Sequence, residues 1–473
     1  MGFTFPHVLA ACFASAGAML LLSGCATFTS DGGFDAVESL VKERLDRDVK
    51  WIRSDAEAHG AQALIRQYLA NTLTAQDAVQ IALLNNRGLQ ATYNELGIAE
   101  ADLVQAGRMR NPGFTFQRTR AGDDIRIERT FTIDFINLLM MPLATRIENR
   151  RFEKAKLVVA HEALRVAAET EKAYYKAVTA AQSAEYMTQV QLAADAGAEL
   201  ARSMARAGNW SKLDQTREQV FYAEATAQLA RATQSAVAER EKLTRLMGLS
   251  STDIDFKLPT RLPDLPNAPL QLSDLESAAI RDRLDIQAAK KETEGVAAAL
   301  GLTRTTRFVN VLETSYLRNG ETGRPRETGY EIRLEIPLFD WGGARTAKAE
   351  AIYMQAVNRV AEIAVNARSE VRETYSAYLN AYALAKHYRE EVVPLRKQIS
   401  DELLTRYNGM LVSVFELLAD AREQVAAVNA SIEAQRDFLL AETDLRMAIG
   451  GKLSPTVSMH SSDIKKERNH DEP

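Results

Sequence analysis

The 473-residue sequence predicts a mixed α/β membrane protein of two duplicated halves, each pairing strands of one oily face with very long helices. Three observations carry that class. Near residue 330 the chain alternates, with Tyr330, Ile332, Leu334, Ile336 and Leu338 on one face and Glu331, Arg333 and Glu335 on the other, the period of a strand. A similar alternation occurs about 200 residues earlier, a spacing too long for a solenoid and suited to a duplicated half. Between the strand pairs run stretches with nothing to break a helix.

The chain begins with an apolar run from Val8 to Leu22 that ends in Leu22-Ser23-Gly24-Cys25, with no acidic, lysine or arginine residue before Asp31. Residues 1–24 read as a signal peptide, and the tetrapeptide resembles a bacterial lipobox. That resemblance implies a covalent diacylglycerol on Cys25 and no other cofactor. Ala26 follows the cysteine, where aspartate would signal inner-membrane retention, so the outer membrane of a Gram-negative cell is expected. Cys12 and Cys25 are the two cysteines, which leaves the mature chain without an internal disulfide. The composition, 46% hydrophobic and 26% charged with a net charge of −5, is that of an ordered protein with no basic footprint for nucleic acid.

Residues 25–71 form a lipidated N-terminal segment and a collar helix, Val37 to Leu69, whose Val37, Leu40, Val41, Leu45 and Val49 make one buried stripe. Residues 72–258 are the first repeat. Its helix from Thr72 to Met109 stops at Asn111-Pro112-Gly113, and strands follow at about 113–136. In the second of them Ile125, Ile127, Phe131, Ile133 and Phe135 oppose Arg126, Glu128, Thr130, Thr132 and Asp134, with Arg129 the one charge on the oily side. From Leu143 to Ala207 a helix on the order of 100 Å long is expected, followed by another from Ser211 to Met247. Residues 259–271 are a proline-rich linker, 272–450 the second repeat with strands at about 308–338, and 451–473 a polar, disordered tail. The halves align at Ala82 to Ala91 with Ala279 to Ala288, at Pro142 with Pro337, and at Arg217-Glu218-Gln219 with Arg422-Glu423-Gln424.

Two strand pairs cannot close a barrel around their own side chains, and open edges in lipid leave N–H and C=O groups without partners. A homotrimer of twelve strands satisfies them, with Arg126, Glu128, Glu331 and Arg333 lining a wet lumen. Small side chains such as Ala155, Ala160, Ala163, Ala167 and Ala168 suit closely packed helices around a hollow centre.

The order of these features, with Ile336-Pro337-Leu338-Phe339-Asp340-Trp341-Gly342-Gly343 and the stretch Tyr407 to Glu423, resembles TolC-like outer membrane efflux proteins of the lipoprotein-bearing type. The resemblance covers nearly the whole mature chain. It implies a trimeric 12-stranded β-barrel, four strands per chain, continuous with a long periplasmic α-helical barrel. The implied role is the exit duct of a tripartite efflux system, fed by a periplasmic adaptor and an inner-membrane pump of the resistance-nodulation-division class. Pro142 and Pro337, with Gly342 and Gly343, then mark the barrel-to-tunnel hinge. Two turns match the adaptor-docking tip: Gly208-Asn209-Trp210-Ser211 and Asn408-Gly409-Met410-Leu411, the latter extended to Ser413. Glu416 matches an acidic constriction, with Tyr407 nearby. Its companion acid is replaced by Ala419, with Asp420 at i+4 from Glu416, and the family's tip arginine is Leu411 here.

Catalysis finds no support, since the six histidines are scattered and no HExxH, phosphate loop or nucleophile elbow is present. A lipid-anchored periplasmic coiled-coil scaffold or adaptor has no use for strands with oily faces. The duct of a type I protein secretion system is a further alternative, against which the lipoprotein form favours a drug-type or metal-ion pump; the pump, not the outer duct, selects the cargo, so small molecules and metal ions both fit.

Overall fold

A computed structural model describes residues 27–250, 254–306, 311–335 and 338–451. In chain order the helices and strands are α1 Phe34–Leu45, α2 Asp55–Leu69, α3 Ala75–Asn85, α4 Arg87–Ala106, β1 Gly113–Ala121, β2 Asp124–Asp134, α5 Phe135–Arg206 and α6 Lys212–Met247. The second half has α7 Leu275–Asp282, α8 Leu284–Thr306, β3 Leu312–Glu321, β4 Glu327–Leu334, α9 Gly343–His387, a π-turn Tyr388–Val392, α10 Val393–Asn408 and α11 Val414–Ala448. Residues 1–24 (expected to be a signal peptide), Cys25, Phe308, Pro337 and residues 452–473 lie outside the described residues. The chain divides into two compact units, one of Met1–Val37, Thr92–Ala160 and Leu284–Ala364, the other of Glu38–Ala91, His161–Arg283 and Val365–Pro473.

The first unit holds an antiparallel sheet in the order β1-β2-β3-β4. Alternation sets its register: Phe114 stands opposite Phe131, Tyr316 opposite both Phe131 and Tyr330, and Leu312 opposite Leu334. The Phe114 and Phe131 rings lie 4.7 Å apart, a cross-strand contact of about 0.2–1 kcal/mol. Below the sheet the N-terminal arm is pinned, with the Thr29 backbone N–H and hydroxyl both donating to the buried Glu100 carboxylate at 2.6 Å. Tyr93 is fully buried, edge-on to Phe34 at 5.0 Å.

The second unit is built on helices whose core includes Ile81, Leu243, Met247, Tyr378 and Phe438, side chains whose full burial is worth about 1.5–3 kcal/mol each. Ala163 and Ala167 are buried on α5, where their small size permits close helix approach. The 259–271 linker is bound along its length. Tyr382 donates to the Pro266 and Asn267 carbonyls at 3.1 and 2.8 Å, Gln435 donates to the Pro263 carbonyl at 2.6 Å, and the Leu270 N–H donates to the Tyr378 hydroxyl at 3.0 Å. A connector read from its prolines is thus a strap, because its backbone groups find side-chain partners on the helices beneath.

Several boundaries differ from the expected ones. The collar helix is two helices, α1 and α2, and the second starts at a full capping box of Ser54 and Glu57. The helix from Thr72 is also two, because Asn86 takes an extended ψ of 116°. Arg283, at the matching place of the other half, does the same with ψ 126°, so the Ala82-to-Ala279 alignment holds in three dimensions. In the second half the long helix is interrupted by the π-turn before Pro394, where the Val393 N–H reaches back to the Tyr388 carbonyl. A proline lacks the donor for residue i−4 and crowds that carbonyl, and widening the turn relieves both.

Candidate functional site

The sheet is the first candidate site. Its polar face carries Glu128, Thr130, Thr132, Glu313, Ser315, Glu331 and Arg333 around a hollow of about 290 Å³. Arg333 pairs with Glu313 at 3.3 Å and approaches Glu331 at 4.0 Å, Arg126 pairs with Glu128 at 2.8 Å, and the Thr132 and Ser315 hydroxyls are hydrogen-bonded at 3.0 Å. The opposite face presents Phe114, Phe116, Phe131, Ile133, Tyr316, Tyr330, Ile332 and Leu334, all exposed. β1 and β4 are edge strands, each with one side unpaired among the described residues. Among the described residues no helix is long and apolar enough to cross a membrane.

The hinge residues part company. Pro142 lies seven positions inside α5, not at its start, and Phe135 opens that helix instead of ending the strand. The proline removes the N–H that would reach the Leu138 carbonyl, and the helix runs on through it. In the second half the expected break is present: β4 ends at Leu334, Gly342 adopts φ +73° with its N–H on the Asp340 carboxylate at 2.8 Å, and Gly343 opens α9.

The two tip turns are built alike and share a register that sequence comparison missed. After α5, Gly208 takes φ +79°, and the N–H groups of Gly208 and Asn209 close on the Ala205 and Met204 carbonyls, a Schellman stop. Ser211 then caps α6 by accepting from the Asp214 N–H, with half-buried Trp210 between the two devices. After α10 the left-handed residue is Met410, φ +59°, while Gly409 sits at φ −81°. The N–H groups of Met410 and Leu411 close on the Tyr407 and Arg406 carbonyls, and Ser413 caps α11 by accepting from the Glu416 N–H. Ser211 therefore matches Ser413. The Arg217-to-Arg422 alignment is three residues out of step, and Glu218 is the structural counterpart of Asp420.

Both of those acids are buried. Asp420, 7% exposed, accepts from the Ser400 hydroxyl of α10, so it does not stand beside the exposed Glu416 as the i+4 spacing suggested. Ala419, at the position of the companion acid, is exposed and brings no charge to such a ring. Glu218, with 3% of its side chain exposed, meets Arg422 of α11 at 3.3 Å. Burial raises the Glu218 pKa and Arg422 opposes it. Arg422 also lies over the Phe221 ring at 4.5 Å, and Arg396 ties α10 to Glu423 at 2.9 Å. Tyr407 is half-exposed, and Met410 and Leu411 are 93% and 79% exposed. Ser400 and the Glu218–Arg422 pair carried no local signal, since each becomes legible only when helices distant in sequence are laid side by side.

A four-stranded antiparallel sheet from two duplicated hairpins, with helices of 72 and 45 residues following the hairpins, is the fold of TolC-like outer-membrane channels. Among solved structures the chain is similar to CusC, at TM-score 0.67 and 15% identity over 80% of this chain and 92% of that one. It is likewise similar to the CmeC outer membrane channel of Campylobacter jejuni, at TM-score 0.67 and 17% identity over 81% and 86%. In sequence it is 24% identical over 282 residues to the cobalt-zinc-cadmium resistance protein CzcC of Cupriavidus metallidurans; the match spans 57% of this chain and 64% of that protein. No family model matches the chain.

Proposed function

We propose that this chain is the outer-membrane exit duct of a tripartite efflux system, acting as a homotrimer anchored by a lipid on Cys25 and extending into the periplasm. The observation that carries the reading is the sheet: one face apolar and exposed, the other charged, and both edges open. Each chain's edge N–H and C=O groups have no partner in lipid, and three chains edge to edge supply them. Fold likeness to outer-membrane channels supports the same reading.

The partners are a periplasmic adaptor and an inner-membrane pump of the resistance-nodulation-division class. The two capped turns, Gly208 to Ser211 and Asn408 to Ser413, are the adaptor contact, because bare Met410 and Leu411 offer apolar surface where water is the alternative. Glu416 is the acidic constriction; Asp420 instead fastens α10 to α11. The cargo is small molecules or metal ions. The likeness to CzcC favours divalent cations.

Mass in detergent and conductance in planar bilayers test this together. A trimer with cation preference that weakens in Glu416→Ala is expected; a folded, monodisperse monomer sinks the duct. Loss of zinc, cobalt or cadmium tolerance on deletion of the gene checks the cargo, with unchanged tolerance to all three pointing to organic molecules.

A further inference from the structure

The apolar face of the sheet is not apolar throughout. Strand pairing puts Arg129 opposite Phe116, Arg118 opposite Ile127 and Arg120 opposite Ile125, while Arg318 lies two residues beyond Tyr316. Side chains two apart share a face, so these four arginines stand on the face of Phe116, Phe131 and Tyr316, toward the β1–β2 and β3–β4 turns. No strand carboxylate shares it: Asp124, Glu128, Asp134, Glu313, Glu321, Glu327 and Glu331 all fall on the other face by the same register. That other face carries both signs, with Arg126 and Arg333 among its acids, as solvated surfaces do. A single-sign row directly bordering exposed aromatic rings is not the pattern of plain solvation.

Height agrees. From Arg129 to Asp134 is five residues of β2, at about 3.3 Å each and tilted about 40°, or about 13 Å along the membrane normal. Exposed Phe135 and Leu139 on the first turns of α5 extend the apolar band by about 6 Å. The band below the arginines is thus about 20 Å, close to the roughly 25 Å apolar belt of outer-membrane barrels. The arginines sit where the head groups of the outer leaflet begin. Arg129 lies over the Phe116 ring at 5.8 Å. Arg120 donates to the Gly122 carbonyl at 2.8 Å and is 3.9 Å from Asp123 in the turn.

We infer that this row is a binding surface for the phosphate groups of a bisphosphorylated, multiply acylated glycolipid of the outer leaflet. The inference rests on the apolar face meeting lipid, as in the proposed function. Guanidinium forks match phosphate oxygens in pairs, at separations a row on neighbouring strands provides, while acyl chains lie along Phe131, Tyr316 and Ile133. Three chains would present the row all around the barrel.

The test uses the full trimer in nanodiscs doped with lipid A, with retained lipid counted by native mass spectrometry. Replacing Arg118, Arg120, Arg129 and Arg318 by Gln is expected to cut lipid A retention at least about tenfold, the loss of several charge-assisted hydrogen bonds. Arg126→Gln with Arg333→Gln, which removes charge from the other face, should leave it unchanged. Dephosphorylated lipid A should bind wild type no better than it binds the quadruple variant. Equal retention by the quadruple variant overturns the inference, and so does retention of phosphatidylglycerol as strong as that of lipid A. Trimer mass and conductance recorded on the same samples separate this failure from failure of the duct itself, because a conducting trimer with unaltered lipid retention refutes only the lipid row.

Discussion

Adjacent residues on one strand offer the most direct probe of the sheet. Ile133 and Thr132 are neighbours on β2 that face opposite sides, Ile133 opposite Thr314 and Thr132 opposite Ser315. Ile133 lies four residues below Arg129, about 10 Å along the membrane normal at the rise and tilt used above, which places it near the middle of the apolar band. Arginine at the midplane of a barrel's lipid face costs about 2–4 kcal/mol, so Ile133→Arg should cost a cooperatively folding trimer about 6–12 kcal/mol. Thr132→Arg loses the 3.0 Å bond to Ser315, about 1 kcal/mol per chain, and leaves its charge in water beside Glu313. Urea-induced unfolding of the trimer refolded into vesicles measures both. Ile133→Arg should fail to refold or unfold at far lower urea, while Thr132→Arg stays close to wild type. Equal losses would mean that the two faces see the same solvent, and the membrane reading of the alternation would fall. That Arg129 is tolerated on the same face is consistent with its position at the band's upper boundary.

Other expectations follow from the helical unit. Met410 holds a left-handed backbone at 93% exposure; Met410→Gly relieves about 1–2 kcal/mol of strain against about 0.5–1 kcal/mol of glycine entropy, so thermal unfolding should be unchanged or slightly later. Gly208→Ala, with no such strain to relieve at φ +79°, should cost about 1–2 kcal/mol, and the opposite order of the two variants would refute the register of the tips. Burial raises the Glu442 pKa, with Glu171 adding to the shift and Arg446 opposing it. A raised carboxyl binds its proton more tightly folded than unfolded, so its stabilising contribution is full below the ordinary glutamate pKa and is lost as pH rises through the folded value. Glu442→Gln should therefore raise Tm at pH 8 and leave it unchanged at pH 4; a gain equal at both would exclude the carboxyl's charge as the cause. Pro394→Ala restores a backbone donor, and amide exchange at residues 388–392 should slow as the π-turn becomes regular helix; unchanged exchange would place the cause of the turn elsewhere.

Alternation and repeat spacing were enough to read the two hairpins, their oily and charged faces and the duplicated order of elements, because a period of two and a break at glycine or proline are local properties of the chain. The start of a helix at Ser211 was legible for the same reason, whereas the capping roles of Ser211 and Ser413 came from the structure. Helix ends decided by tertiary contact were not. Asn86 and Arg283 break their helices without glycine or proline, and α5 starts at Phe135 and runs through Pro142. Met410, not Gly409, takes the left-handed position, because the end of α10 is set by which carbonyls remain to be satisfied and not by which residue bends most easily. The i+4 spacing of Glu416 and Asp420 suggested one ring of acids; Ser400, twenty residues away on α10, turns Asp420 inward, and Arg422 holds Glu218 on α6. The outer arginine row shows the same division: Arg129 was visible as one charge on an oily face, but only strand pairing set Arg118, Arg120 and Arg318 beside it. Periodicity is written along the chain, whereas the partner that satisfies a buried charge is chosen across it.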